Sequence, residues 1–334
     1  MFDWLDPYMF LLIGAVKAVI IAVALMSVVP LLVWLERRLL GRFQTRLGPN
    51  RVGPLGLGQL IADSIKLFFK ESIVQSSADK FLFHLAPAIV VFTAIVTFSV
   101  VPFGDPVEVS GEAIGLWGAN PNIALLLVFA MSSMGIYGIV MAGFSSNNKY
   151  SLIGGLRSSA QMISYELTLG LAALSVVLLS GSLNLVEIVN QQNDLPNFLI
   201  QPLAFLLFFI AGVAETNRAP FDLPEAEQEL VAGFFTEYSG MKFSMFFMGE
   251  YINMITMSAL ITLLFLGGWH AYVLPDIPFL VFAGKVFFLL CVFIWLRATF
   301  HRIRYDRLMA FGWKVMLPLA MFNMLLTGAM RVLW

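Results

Sequence analysis

The sequence predicts an all-α fold, a polytopic bundle of eight transmembrane helices with one amphipathic helix at the membrane surface. Three observations predict it. Of the 334 residues, 59% are hydrophobic and only 12% charged, with a mean hydropathy of +0.85; a water-soluble domain carries roughly 45–50% apolar and about 25% charged residues. Runs such as Met9 to Leu35, Phe81 to Val101 and Met241 to Leu266 approach or exceed the roughly 20 residues a helix needs to cross a bilayer. The intervening segments also divide by charge. Segments 103–120, 181–197 and 268–278 contain no Lys or Arg, whereas 36–80, 144–159 and 299–311 hold 13 of the 20.

Taken in order, the spans fall at about 9–35, 81–101, 121–143, 160–180, 198–215, 242–266, 279–298 and 312–333. The first reads as retained rather than cleaved, since Asp3 and Asp6 stand where a signal peptide would be positive and the apolar run is too long for its core. By the positive-inside rule the basic segments face the cytoplasm, or the matrix of an organelle, which puts both termini outside. Between the first two spans, Leu57, Ile61, Ile65 and Phe68 share one helical stripe and Gln59, Asp63, Lys66 and Lys70 the opposite one. Such a helix lies in the interface plane. It reads either as a plain surface helix or as one wall of an opening for an amphipathic, lipid-soluble molecule. Without a linker, repeat or low-complexity tract, residues 1–334 form one membrane-embedded domain.

Several function classes are excluded. A net charge of −1 and the absence of a basic tail argue against nucleic-acid binding. Cys291 is the single cysteine, so this chain builds neither a disulfide nor a cysteine-ligated iron–sulfur cluster. No metal site is expected, because His84 and His301 fall near one membrane face and His270 near the other. Electrons passing nearby would be carried by another subunit.

The candidate chemistry is acidic. Glu166 and Glu250 lie inside apolar spans, each about eight residues, or about 12 Å, past the inner start, and Glu215 closes the fifth span on the same side. A carboxylate in a bilayer is costly, so all three are expected to face the bundle interior as proton carriers. The bland alternative is a buried Glu bonded to Ser164, Tyr165 or Thr168 and idle. Lys17 and Lys285, toward the outer ends of their spans, are expected to snorkel to the interface. The segment from Ala214 to Glu237 sets six carboxylates, including Asp222, Glu225, Glu227 and Glu229, against one Arg218. Interleaved Phe221, Leu223, Leu230, Phe234 and Phe235 make it too apolar for a fully solvated tract. Packed partly out of water, such carboxylates titrate as a coupled set.

Four stretches then carry a resemblance: Glu36 to Glu71, with Gly48-Pro49-Asn50-Arg51-Val52-Gly53-Pro54; Tyr150 to Glu166; Ala214 to Gly240, with Glu215-Thr216-Asn217-Arg218-Ala219-Pro220-Phe221-Asp222-Leu223-Pro224-Glu225; and Arg297 to Asp306. Over nearly its whole length the chain resembles the quinone-site membrane subunit of proton-pumping NADH:quinone oxidoreductase, respiratory complex I. The resemblance implies an eight-helix subunit forming the membrane end of a quinone tunnel, lined or braced by Glu36, Arg37, Arg46, Asp63, Arg218, Asp222 and Arg302. It implies an acidic path into the membrane arm through Glu166, Glu215, Glu225, Glu227, Glu229 and Glu250. Quinone would be the substrate, and NADH, flavin and iron–sulfur clusters would belong to partner subunits, with no cofactor bound by this chain alone. The implied partners are the other membrane-arm subunits, the quinone-site hydrophilic subunits and membrane lipid. The implied location is the bacterial inner membrane, with the mitochondrial inner membrane as the alternative. Two rival functions stay open: a related subunit of an energy-converting hydrogenase or formate hydrogenlyase, and a stand-alone proton or cation transporter.

Overall fold

A computed structural model describes residues 6–109, 112–222, 231–272 and 277–333. The chain runs through α1 (Asp6–Phe43), a short 3-10 turn (Pro54–Gly56), α2 (Gly58–Phe69) and α3 (Lys80–Ser99). Two three-residue strands, β1 (Val107–Val109) and β2 (Glu112–Ile114), pair antiparallel. Then follow α4 (Ala124–Ser145), α5 (Lys149–Ser180), α6 (Leu185–Asn190), α7 (Asn197–Ile200), α8 (Pro202–Glu215), α9 (Gly240–Phe265), α10 (Pro278–Thr299) and α11 (Tyr305–Leu333). Among the described residues, α1, α3, α4, α5, α9, α10 and α11 are long and apolar enough to cross a membrane.

The fifth expected span is divided. Pro202 opens α8 at its first position, where a missing N–H costs nothing. It also drives the preceding Gln201 out of helical geometry, to φ −129° and ψ 65°. The amide of Gln201 makes the break tolerable within the bundle: its Oε1 accepts from Ser175 Oγ at 3.1 Å and its Nε2 donates to Thr327 Oγ1 at 3.2 Å.

Two other helices run longer than hydropathy suggests. α1 continues past the expected end at 35 to Phe43. α5 starts at Lys149 instead of about 160, capped by Asn148, whose side chain accepts from the Tyr150 amide at 3.0 Å. Its extra turns bury Ser151, Gly154, Gly155 and Ser158, small residues that score as loop yet allow close helix contact. A Cβ on Gly155 would lie 3.3 Å from the Gly143 Cα of α4.

α9 is the central helix, with 78% of its most apolar window buried. It is seated by Val90 of α3, which fills the notch left by two glycines: a Cβ on Gly138 of α4 or on Gly249 of α9 would approach a Val90 methyl to 2.5 Å. Gly249 precedes Glu250, so this contact sets the height and rotation of that carboxylate. α2 has the expected two faces, with Ile61, Ile65 and Phe68 exposed, Asp63 bonded to Arg37 of α1 and Gln59 bonded to Asp63.

The cationic side chains of Lys17 and Lys285 reach backbone carbonyls in or beside the loops at the ends of their helices. Lys285 Nζ donates to the carbonyls of Leu266, Gly268 and His270 at 2.7, 2.9 and 2.9 Å, closing the C-terminal end of α9. Lys17 Nζ donates to the Gly115 carbonyl at 3.3 Å.

Candidate functional site

At one end of the bundle, α1, the loop after α8, α9 and the last turn of α10 bring Glu36, Arg218, Tyr251 and Arg297 together. Glu36 is only 3% exposed, and an isolated carboxylate there would cost several kcal/mol. Its partners offset that cost. Arg218 Nη1 donates to Glu36 Oε1 and Oε2 at 3.0 and 3.1 Å, Tyr251 Oη donates to Oε2 at 2.7 Å, and Arg297 Nη1 donates to Oε1. The Arg218 guanidinium also lies over the Tyr251 ring, 4.2 Å from its centroid. Burial opposes charge on Arg218, but Glu36, Tyr251 and Glu250 outweigh it, so its acidity is held far weaker than that of an ordinary guanidinium. Arg218 therefore stays cationic throughout the working range.

The surrounding loops are braced onto this cluster. Arg302 Nη2 donates to the buried Asp222 at 3.0 Å, and the Ile303 amide bonds the Pro220 carbonyl at 3.1 Å. From α5, the Gln161 amide donates to the carbonyls of Ala214 and Phe221 at 2.9 and 2.7 Å, which fixes both ends of the 214–221 turn to one helix. On the other flank, Arg37 Nη1 donates to Asp63 Oδ2 at 2.6 Å and Gln59 Nε2 to Oδ1 at 2.9 Å. Partial burial works against ionisation of Asp63, but Gln59, Arg37 and Lys66 together hold its carboxyl below the usual aspartate range. Arg46 is not drawn in; it is exposed and bonded to Gln44 at 2.8 Å.

Deeper in the bundle lies a cavity lined by Thr93, Thr97, Ser132, Glu215, Glu250 and Asn253, among others. It leaves about 20 Å³ for the centres of water-sized spheres, room for about one water. Ser132 Oγ donates to Glu215 Oε1 at 2.7 Å, and the adjacent Ser133 Oγ donates to Glu166 Oε1. A polar sequence thus lies along the bundle: Glu166 and Glu215, each held by one of two adjacent serines, then Glu250 on the far side of the cavity, then Arg218, which interacts electrostatically with Glu250 and is bonded to Glu36.

Of the expected residues, Glu36, Arg218, Glu215, Glu166 and Glu250 fall on this sequence, while Asp222, Arg302, Arg37 and Asp63 brace its inner end. Glu225, Glu227 and Glu229 lie outside the described residues. Glu166 sits about 25 Å along α5, twice the expected depth from the helix start, because the helix begins earlier. Its donor Ser133 is none of the three hydroxyls expected: Ser164 bonds the Ala160 carbonyl, Tyr165 the Leu308 carbonyl, and Thr168 Oγ1 has no partner. Sequence reasoning missed Tyr251, Arg297, Ser132 and Ser133. Arg297 is indistinguishable from a topology-setting charge, and Tyr251 from an apolar core residue. Ser132-Ser133, in the middle of an apolar run, was the one visible signal. Among the described residues no group of three His, Cys, Asp or Glu could hold a metal ion.

The family model for NADH dehydrogenase matches residues 16–328. The chain is 50% identical over 334 residues to the second NADH-quinone oxidoreductase H subunit of Syntrophobacter fumaroxidans, covering 100% of this chain and 99% of that one. It is 52% identical over 335 residues to the first H subunit of Geobacter sulfurreducens, covering 96% of each. It is also 52% identical over 320 residues to the H subunit of Thermomicrobium roseum, covering 93% of each.

Proposed function

The chain belongs to the NADH dehydrogenase family, as an H-type subunit of NADH-quinone oxidoreductase, and from that premise we propose that it forms the membrane end of a quinone tunnel and converts quinone reduction into proton movement. The observation that carries this reading is the set of acids Glu36, Glu250, Glu215 and Glu166, with Arg218 beside Glu36, gathered around a polar cavity inside an otherwise apolar bundle. Quinone enters beside the outward apolar face of α2, tail in lipid. The head passes inward along the segment braced by Arg37–Asp63 and Arg302–Asp222, with Arg46 at its surface, to meet electrons delivered by partner subunits that hold flavin and iron–sulfur clusters and oxidise NADH. Reduction creates a demand for protons and a change of charge near Arg218. Because Arg218 stays cationic and already serves Glu36, that change is felt by Glu250, and through the cavity by Glu215 and Glu166. The third-loop acids Glu225, Glu227 and Glu229 extend the same path at its inner end. Neighbouring membrane-arm subunits then carry out the pumping, in a bacterial inner membrane.

The test uses the whole purified complex in proteoliposomes. Glu215→Gln or Glu250→Gln should leave NADH oxidation by an artificial acceptor intact while slowing coupled quinone reduction at least about 10-fold, the loss expected when a proton carrier is removed. Full reductase and pumping rates in both variants would end the proposal. Recovery of a nickel–iron subunit in place of an NADH-oxidising one would favour the hydrogenase reading, and transport by this chain alone in liposomes the transporter reading.

A further inference from the structure

We propose that Ser132 and Ser133 are positioning residues that hold Glu215 and Glu166 so that each can change protonation state without moving its carboxyl group. This rests on the reading of those two glutamates as proton carriers. Neighbouring residues on a helix point about 100° apart, so α4 reaches α8 with one hydroxyl and α5 with the next. Ser132 Oγ donates to Glu215 Oε1 at 2.7 Å. Ser133 Oγ has two acceptors in range, Glu166 Oε1 and the Phe129 carbonyl at 3.0 Å, and one proton to give.

That surplus is the functional feature. With Glu166 ionised, Ser133 donates to the carboxylate. With Glu166 protonated, the acid O–H donates to Ser133 Oγ, whose own proton turns to the Phe129 carbonyl. Ser132 holds the Glu215 carboxylate with its single hydrogen bond and lines the cavity beside it. The proton that Glu215 gains or loses passes by way of the cavity it lines; each serine keeps its own, and no heavy atom need move. Glu215 Oε2 is buried with no protein partner, so a carboxyl oxygen is left for exchange.

The charged and titratable groups facing the pair from neighbouring elements are few. α9 contributes Glu250 across the cavity, the loop after α8 contributes Arg218, committed to Glu36, and α5 contributes Tyr165, committed to the Leu308 carbonyl. α3 presents the hydroxyls of Thr93 and Thr97.

The experiment compares Ser132→Ala, Ser133→Ala and the corresponding Thr variants in the whole complex. A hydroxyl that donates to a carboxylate favours its ionised form. Its removal should therefore displace the pH profile of coupled quinone reduction to higher pH by about one pH unit and slow proton delivery, with the artificial-acceptor rate unchanged and Thr restoring both. A wild-type pH profile in both Ala variants, or Thr variants as impaired as Ala, would overturn the inference. Should an Ala variant fail to assemble, the Cys variants keep the volume and a weaker donor; an intermediate displacement supports the inference and none overturns it. If Glu215→Gln is silent, the reading beneath it fails; if Glu215→Gln blocks coupling while Ser→Ala leaves the profile unmoved, only this inference fails.

Discussion

Glu36 is served by three donors, and removing it would strand two of them. Glu36→Gln keeps the shape but leaves Arg218 with uncompensated charge in a buried site where its Nε and Nη2 already lack partners. The expected cost is about 3–5 kcal/mol, read as a lowered thermal midpoint or as loss of the subunit from the assembled complex on native gels. Asp63 tests the opposite regime. Its folded pKa is depressed, so the stability it adds is present above the ordinary aspartate value of about 4 and is lost only as pH falls through the lower folded value. With Arg37 and Asp63 partly exposed, Asp63→Asn should cost no more than about 1 kcal/mol at pH 7, and the difference from wild type in thermal unfolding should shrink toward zero at acid pH. A gap that widens on acidification would refute the assignment. The burial of the intramembrane acids was legible because a charge in an apolar run has to be turned away from lipid. Tyr251 and Arg297 were not, because pairing to Glu36 comes from three helices meeting, which no local pattern encodes.

At the scale of elements, hydropathy located the helices but not their ends or continuity. The first turns of α5 were hidden because Ser151, Gly154, Gly155 and Ser158 trade side-chain apolarity for close approach, and the break at Gln201 because a lone Pro inside an apolar run looks like a spanning residue. The seat of α9 offers a direct check. Gly249→Ala should destabilise the bundle, since the new methyl meets Val90, and Val90→Ala in the same chain should recover most of the loss; overpacking of this kind costs typically about 1–3 kcal/mol. The double-mutant cycle in thermal unfolding gives the coupling directly, and additive effects would show that the two residues do not meet. Because Glu250 follows Gly249, the single variant should also slow coupled quinone reduction and the double variant restore it.

For the molecule as a whole, the exposed apolar face of α2 is where the proposed entry of a lipid-borne quinone can be tested. Ile65→Asp should raise KM for a long-tailed quinone about 10-fold, roughly the cost of a misplaced polar group in an apolar contact, while leaving the short-tailed analogue nearly unaffected. Equal changes for both substrates would place the face against protein instead. Composition and motifs carried the family and the helical bundle; the polar sequence through the interior needed coordinates, since it joins α1, α4, α5, α8, α9 and the loops between them. The Lys285 latch bears on how such a chain is made. An ammonium arriving in lipid without acceptors costs a few kcal/mol at the translocon, yet its three carbonyls lie 19, 17 and 15 residues earlier in the chain. They have already emerged when α10 is synthesised. Helices α9 and α10 can therefore be delivered to the bilayer as a hairpin that solvates its own ammonium group, in the order of translation, without waiting for α11 or any other subunit.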